Sequence, residues 1–210
     1  MRSPTGPAEA QITVKGSRFL ASLAPAKDVA AARSALAART RAYHDATHHG
    51  WAYRVWEDGR IEAAGFDAGE PAGTTGRPIL GALERADLVA AVCVVSRWFG
   101  GTKLGTGGLT RAYAEAAREA VAALAERRSL AEVEPWTTFR ITFPYEITSA
   151  IQRVLARHGA RERSSDYAER VVLVSSVPAR LADAFERELV EGSGGVALAR
   201  RIDERLAPRR

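Results

Sequence analysis

TTFRITFPYEITSAIQRVLARHGARERSSDYAERVVLVSSVPARLADAFERELVEGSGGVALARRI (137–202) reads as six elements in a fixed order. TTFRITF (137–143) is rich in β-branched and aromatic residues and predicts a strand. Ile147, Ala150, Ile151, Val154 and Leu155 recur at helical spacing and predict an amphipathic helix ending before Gly159. Residues 160–167 and 169–177 follow as two strands, the second carrying RVVLVSSV (170–177). Leu181, Phe185 and Leu189 stripe a second helix closed by Gly192, and VALARRI (196–202) is a last strand. The order β-α-β-β-α-β is the split βαβ, ferredoxin-like arrangement.

Working upstream, Glu132–Trp136 with Pro135 inside it predicts a boundary between domains at 1–134 and 135–210. Residues 1–9 read as a loose leader. QITVKGSRFLASL (11–23) predicts two short strands or one bent one. The alanine-rich segment from Lys27 to about Thr40 predicts a helix. WAYRVW (51–56) and RIEAAGF (60–66) flank the turn signal Glu57-Asp58-Gly59 and predict paired strands. DAGEPAGTTG (67–76) is a loop, and Pro78 suits the first turn of a helix reaching about Ala86. LVAAVCVVS (88–96) predicts a strand buried on both faces, followed by FGGTKLGTGG (99–108) and a helix from about Leu109 to Arg128. The class predicted is α+β.

Composition narrows the function. Apolar residues make up 46% and charged residues 26%, as in an ordinary globular chain. A net charge of +5 and a pI of about 9.8 favour anionic partners such as nucleic acid. Cys93 is the single cysteine, so no internal disulfide forms and a reducing compartment is expected. MRSPTGPAEA (1–10) has no signal-peptide hydrophobic region, and the run Leu88–Val95 is far too short to span a bilayer. A cytoplasmic protein without membrane contact is the expectation.

Three segments carry candidate chemistry. In SRWFGGTKLGTGGLTR (96–111) a buried strand leads through a glycine loop into a helix N-terminus. Glycines expose backbone N–H groups and the helix start adds partial positive charge. Arg97, Lys103 and Arg111 add cations, and no acidic residue occurs from Leu88 to Ala114. Trp98 and Phe99 offer a stacking face for a base. The segment is neither a Walker A loop nor G-x-G-x-x-G. It reads either as a phosphate-contacting surface through Arg97, Gly100, Gly101, Lys103, Gly105, Gly107, Gly108 and Arg111, or as a tight connection with the aromatics in the core.

In DAGEPAGTTGRP (67–78), Asp67 and Glu70 could hold a metal or act as acid and base. The alternative is structural, with Glu70 capping backbone N–H groups or pairing with Arg97 or Arg77. In HDATHH (44–49), His44 and His48 have helical i, i+4 spacing, but the H-E-x-x-H pattern is absent, and His48 or His49 more simply contacts RNA or packs beside Trp51. There is no nucleophile elbow, and Cys93 sits among valines as an inert thiol. Arg200, Arg201, Arg205, Arg209 and Arg210 form a solvated face or an auxiliary RNA contact.

KGSRFLA (15–21), ATHHGWAYRV (46–55), DAGEPAGTTGRPIL (67–80) and VVSRWFGGTKLGTGGLTRAYAEAA (94–117) resemble, in order and spacing, the IMPACT family and in particular its YigZ-like bacterial members. The resemblance implies an N-terminal ribosomal protein S5 domain 2-like fold, seen also in domain IV of elongation factor G. It implies a ferredoxin-like C-terminal domain similar to domain V of that factor. Both comparisons point to RNA or the ribosome as partner, and eukaryotic relatives point to a protein partner in translation control. The family offers no catalytic residues to carry over, and no cofactor or metal is expected. This chain departs from the family at Gly50, where a cysteine is common.

These readings converge on a non-enzymatic RNA- or ribosome-associated regulator of translation. It would bind phosphates through Gly-rich loop 99–108, with Arg77 and His48 as further contacts. The rivals are a protein-partner regulator without RNA contact and an enzyme on a phosphorylated or nucleotide substrate that uses Asp67 and Glu70.

Overall fold

The computed structural model describes residues 1–209, and Arg210 of the basic C-terminus lies outside the described residues. The chain divides into two compact units, Met1–Val133 and Glu134–Arg210.

The elements of the first unit are β1 (Arg2–Pro4), β2 (Ala8–Val14), β3 (Ser17–Pro25), α1 (Val29–Ala42), β4 (His48–Glu57), β5 (Arg60–Phe66), α2 (Gly76–Arg85), β6 (Ala91–Trp98) and α3 (Gly105–Glu126). The next strand, β7 (Leu130–Phe143), begins in this unit. Five strands form one sheet in the order β2-β3-β6-β4-β5, with every neighbouring pair antiparallel. Two hairpins set its registers. Lys15 and Gly16 (φ 45° and 80°) turn β2 into β3, and Asp58 and Gly59 (φ 50° and 74°) turn β4 into β5. Two consecutive positive φ values match the right-handed twist of the strands they join.

The central strand β6 is buried on both faces, as its unbroken apolar run predicts. Strand alternation sends Ala91, Cys93 and Val95 into a core shared with Phe19 of β3, Ile79 and Leu83 of α2, and Leu109, Tyr113 and Leu124 of α3. Val92 and Val94 point the other way, into a core with Trp51, Tyr53, Val55 and Ala32 of α1. Each large side chain fully buried here contributes about 1.5–3 kcal/mol. The sheet is antiparallel, and its helices on both faces account for the unbroken hydrophobic run.

The second unit continues with α4 (Thr148–Arg157), β8 (Arg161–Tyr167), β9 (Val171–Pro178), α5 (Ala182–Gly192) and β10 (Leu198–Pro208). β7 pairs antiparallel with β9, β9 with β8, and β10 pairs with β7. In chain order of its strands the sheet reads fourth, first, third, second, which is the ferredoxin-like arrangement. Phe139, Ile141 and Phe143 of β7 pack with Ile151 of α4 and Phe185 and Leu189 of α5. The class is α+β throughout.

Two local expectations differ from the structure. The first residues are not a loose leader: Arg2–Pro4 pair with Leu130–Glu132, and the Arg2 side chain donates to the Ala86 carbonyl at 3.0 Å. The division between the units falls at Val133/Glu134, inside the stretch Glu132–Trp136 expected as the boundary, and β7 runs through it. The β1 ladder ends at Glu132 and the β9 ladder starts at Trp136, so neither of these strands pairs with Pro135, which has no N–H to donate. Finally, α3 starts at Gly105 instead of near Leu109, so the glycines 105, 107 and 108 form its first turn.

Candidate functional site

Arg97 extends the row Ala91, Cys93, Val95 by one more inward position on β6, so alternation drives a guanidinium toward the apolar core. Its side chain is only 7% exposed. A buried cation requires a counter-charge. Glu70, in the loop before α2, provides it, with Oε1 2.5 Å from Arg97 Nη1 and a side chain 4% exposed. Tyr113 of α3 donates its phenol to the same oxygen at 2.9 Å. Burial, reinforced by the adjoining Glu70 charge, raises the Tyr113 pKa well above its ordinary value, so the phenol stays a donor. Glu70 Oε2 accepts no hydrogen bond among the described residues, and the buried Arg97 Nε has no partner.

This corrects the reading of Arg97 as a surface phosphate contact. Its charge is matched by Glu70, and it lies at the inner side of a cavity. The alternative pairing of Glu70 with Arg97 is the one found. Gly100 is corrected too. Its N–H donates to Ser17 Oγ at 3.1 Å, and a Cβ there would fall 1.9 Å from the Gly16 carbonyl carbon. Gly100 is therefore glycine because the 99–103 loop lies against the β2–β3 turn, not to face an anion.

Asp67, not Glu70, does the capping. Its carboxylate accepts from the backbone N–H groups of Gly73, Thr75 and Gly76 at 2.8–2.9 Å, closing the loop onto the start of α2. Burial alone would raise its pKa, but the N–H groups of Gly73, Gly76 and Thr75 outweigh it and hold the carboxyl below its ordinary value. Asp67 and Glu70 thus point to separate partners, and no acid–base pair forms between them.

The start of α3 differs from those of α1 and α2. Asp28 caps α1 through the Ala31 N–H at 2.7 Å, and Asp67 serves α2. At α3, Leu104 stands in the N-cap position without a side-chain hydrogen bond, and the first turn holds no acidic residue. First-turn amides have no intrahelical acceptor, so the N–H groups here keep their partial positive charge. Gly105 and Gly107 are exposed. Exposed Lys103 precedes the turn, and a Cβ at Gly107 would meet Arg111 Nη1 at 3.6 Å, so the Arg111 guanidinium lies over it.

A cavity of about 350 Å³ opens at this helix start. Thr47, His48, Glu70, Pro71, Arg97, Phe99, Lys103, Leu104, Gly105, Thr106 and Leu109 line it. Of the residues expected to contact phosphate, the cavity brings together Arg97, Lys103, Gly105 and His48. His48 Nδ1 lies 3.1 Å from the Ala68 carbonyl, which can only accept, so Nδ1 donates there. Gly101 and Arg111 are exposed, and Gly108 is half-buried against Leu104, whose Cβ would lie 3.0 Å from a Cβ placed at 108. Arg77 is exposed on the first turn of α2 and is not part of the lining.

Trp98 does not present a free face. Arg18 covers its ring at 3.7 Å and Asp45 accepts from Nε1 at 2.8 Å. Phe99 is more open, at 48% exposed, with the Arg97 guanidinium carbon 5.7 Å from its ring centroid. Tyr113 was legible only as one member of the helix stripe; its hydroxyl's partner sits 43 residues away and leaves no signal in local sequence. At Gly50 an added Cβ would fall 1.8 Å from Thr75 Cγ2, so the Thr75 methyl occupies the space a cysteine would need. Among the described residues, no cluster of three or more histidine, cysteine or acidic side chains is disposed to hold a metal, and no helix is long and apolar enough to cross a membrane.

Comparison with known proteins extends over both units. Residues 15–121 match the Impact N-terminal domain, and residues 141–196 match a domain of unknown function (DUF1949). The chain is 31% identical over 202 residues to IMPACT family member YigZ of Escherichia coli (strain K12), covering 96% of this chain and 97% of that protein. It is 42% identical over 147 residues to an IMPACT family member of Thermus thermophilus, covering 69% and 75% of the two chains. A crystal structure described as that of a hypothetical protein superposes with a TM-score of 0.64 at 29% identity, covering 96% of this chain and 97% of that one. With its N-terminal domain model matched and a relative aligned over nearly its whole length, the chain belongs to the IMPACT family.

Proposed function

We propose that this protein is a non-enzymatic, cytoplasmic RNA- or ribosome-associated regulator of translation that receives backbone phosphate at the start of α3. The observation that carries the reading is the uncapped, exposed first turn of α3 with Lys103 beside it, at the mouth of the cavity. Partial positive charge on unpaired amides and a neighbouring ammonium favour an oxyanion in the same place. Because Glu70 neutralises Arg97, the attraction comes from Lys103, Arg111 and the helix start.

Salt dependence of binding to a single-stranded RNA tests this. Each phosphate contact on a single strand contributes about 0.7 to the slope of log K against log salt. Lys103→Ala is expected to weaken binding and flatten the slope by about that amount. An unchanged slope, or no RNA binding by the wild type, overturns the assignment. Capture of a partner that survives nuclease treatment would then favour the protein-partner alternative. Saturable turnover lost in Glu70→Gln would favour an enzyme on a phosphorylated or nucleotide substrate.

A further inference from the structure

We infer that the cavity beside α3 accepts an unpaired guanine base of the bound RNA, an inference that rests on the phosphate reading above and names what that site recognises. At about 350 Å³ the cavity falls within the range of small-molecule sites, about 300–1,000 Å³. Its walls include Pro71, Leu104 and Leu109, and the exposed Phe99 ring stands in its lining. Such walls suit the flat, weakly hydrated faces of a base, and aromatic rings are the usual platform for unstacked bases.

Polar groups within this lining select the edge. Glu70 Oε1 is occupied by Arg97 and Tyr113. Oε2 remains an acceptor with two lone pairs. Arg97 lines the same cavity, and its guanidinium supplies donors alongside that carboxylate. Guanine carries two adjacent donors, N1–H and N2–H, next to the acceptor O6. Its donors match Glu70 Oε2 and its O6 matches the Arg97 guanidinium. Adenine and uracil each bring a single donor group to that edge, and uracil also fills less of the space. The nucleotide's phosphate then lies toward Lys103 and the first turn of α3, which line the same cavity.

The test uses the full chain and fluorescein-labelled uridine oligomers carrying one central guanosine, adenosine or inosine. The guanosine probe is expected to bind about 10-fold more tightly than the adenosine probe, with inosine, which lacks the 2-amino group, between them. Phe99→Ala, at an exposed position, is expected to weaken the guanosine probe by about 10-fold. Glu70→Gln is expected to remove the preference for guanosine. Should Glu70→Gln fail to fold, the inosine probe and Phe99→Ala still decide. Equal binding of all three probes, with the Lys103→Ala effect intact, sinks the guanine site and leaves the phosphate reading standing. No binding of any probe sinks both.

Discussion

Arg97 Nη1 and Glu70 Oε1 lie 2.5 Å apart with both side chains almost wholly buried, and the Tyr113 hydroxyl closes on the same carboxylate oxygen at 2.9 Å. Removing one partner strands a charge. Glu70→Ala and Arg97→Ala are each expected to cost about 3–5 kcal/mol in chemical denaturation. The double change to Leu at 70 and Met at 97 is expected to recover most of that loss, because no lone charge remains. Tyr113→Phe removes only a donor to a charged acceptor and is expected to cost about 1.5–3 kcal/mol. Equal stability of Glu70→Ala and wild type would show that the pair is not closed in solution.

Glycines of loop 99–108 divide into two kinds. Gly100 has no room for a side chain, since its Cβ would lie 1.9 Å from Gly16 backbone. Gly100→Ala is expected to cost about 3 kcal/mol or more, by displacing the loop from the β2–β3 turn. Gly107 has room, its nearest contact being Arg111 Nη1 at 3.6 Å. Gly107→Ala is expected to leave stability unchanged or raise it by about 0.5 kcal/mol, through helix propensity. Thermal melts of the two variants check the contrast, and similar losses would contradict it.

Asp67 links stability to acid. Its folded-state pKa is depressed, so its contribution is fully present above the ordinary carboxylate value of 3.8 and disappears as pH falls through the folded value. Asp67→Ala is expected to be less stable than wild type at neutral pH. The gap should narrow as pH falls below about 4. Melting temperature measured against pH for both proteins checks this, and a gap that widens in acid would invert the assignment.

Cys93 lies mid-strand in β6, and burial pushes its thiol up to about 12. In the folded protein at pH 8 an aromatic disulfide reagent is expected to label it negligibly over the time in which the denatured chain reacts fully. Rapid stoichiometric labelling of the native protein would show that β6 opens locally.

Most of the fold was legible because it rests on local patterning. The six elements from residue 137 on, the β4–β5 hairpin and the doubly buried β6 each follow from periodicity or turn chemistry that spans few residues, whereas residues 11–23 allowed two strands or one bent one. Errors arose where long-range pairing overrode weak local signals. Arg2–Pro4 are a strand only because Leu130–Glu132 lie beside them. The glycines at 105, 107 and 108 are helical in spite of poor propensity because Leu109, Tyr113 and the later apolar stripe anchor α3 on the sheet.

Sequence alone determined where the cations, glycines and aromatics of loop 99–108 stand, and that a buried strand leads into them. Tertiary structure decided which of those groups stay open to solvent and which are buried or paired. Arg97 faces inward because β6 alternates, and it is matched by a carboxylate 27 residues upstream, while Gly100 is spent on packing against Gly16. Charge is a property of the residue, but its availability depends on burial and on the partner the fold brings within hydrogen-bond reach.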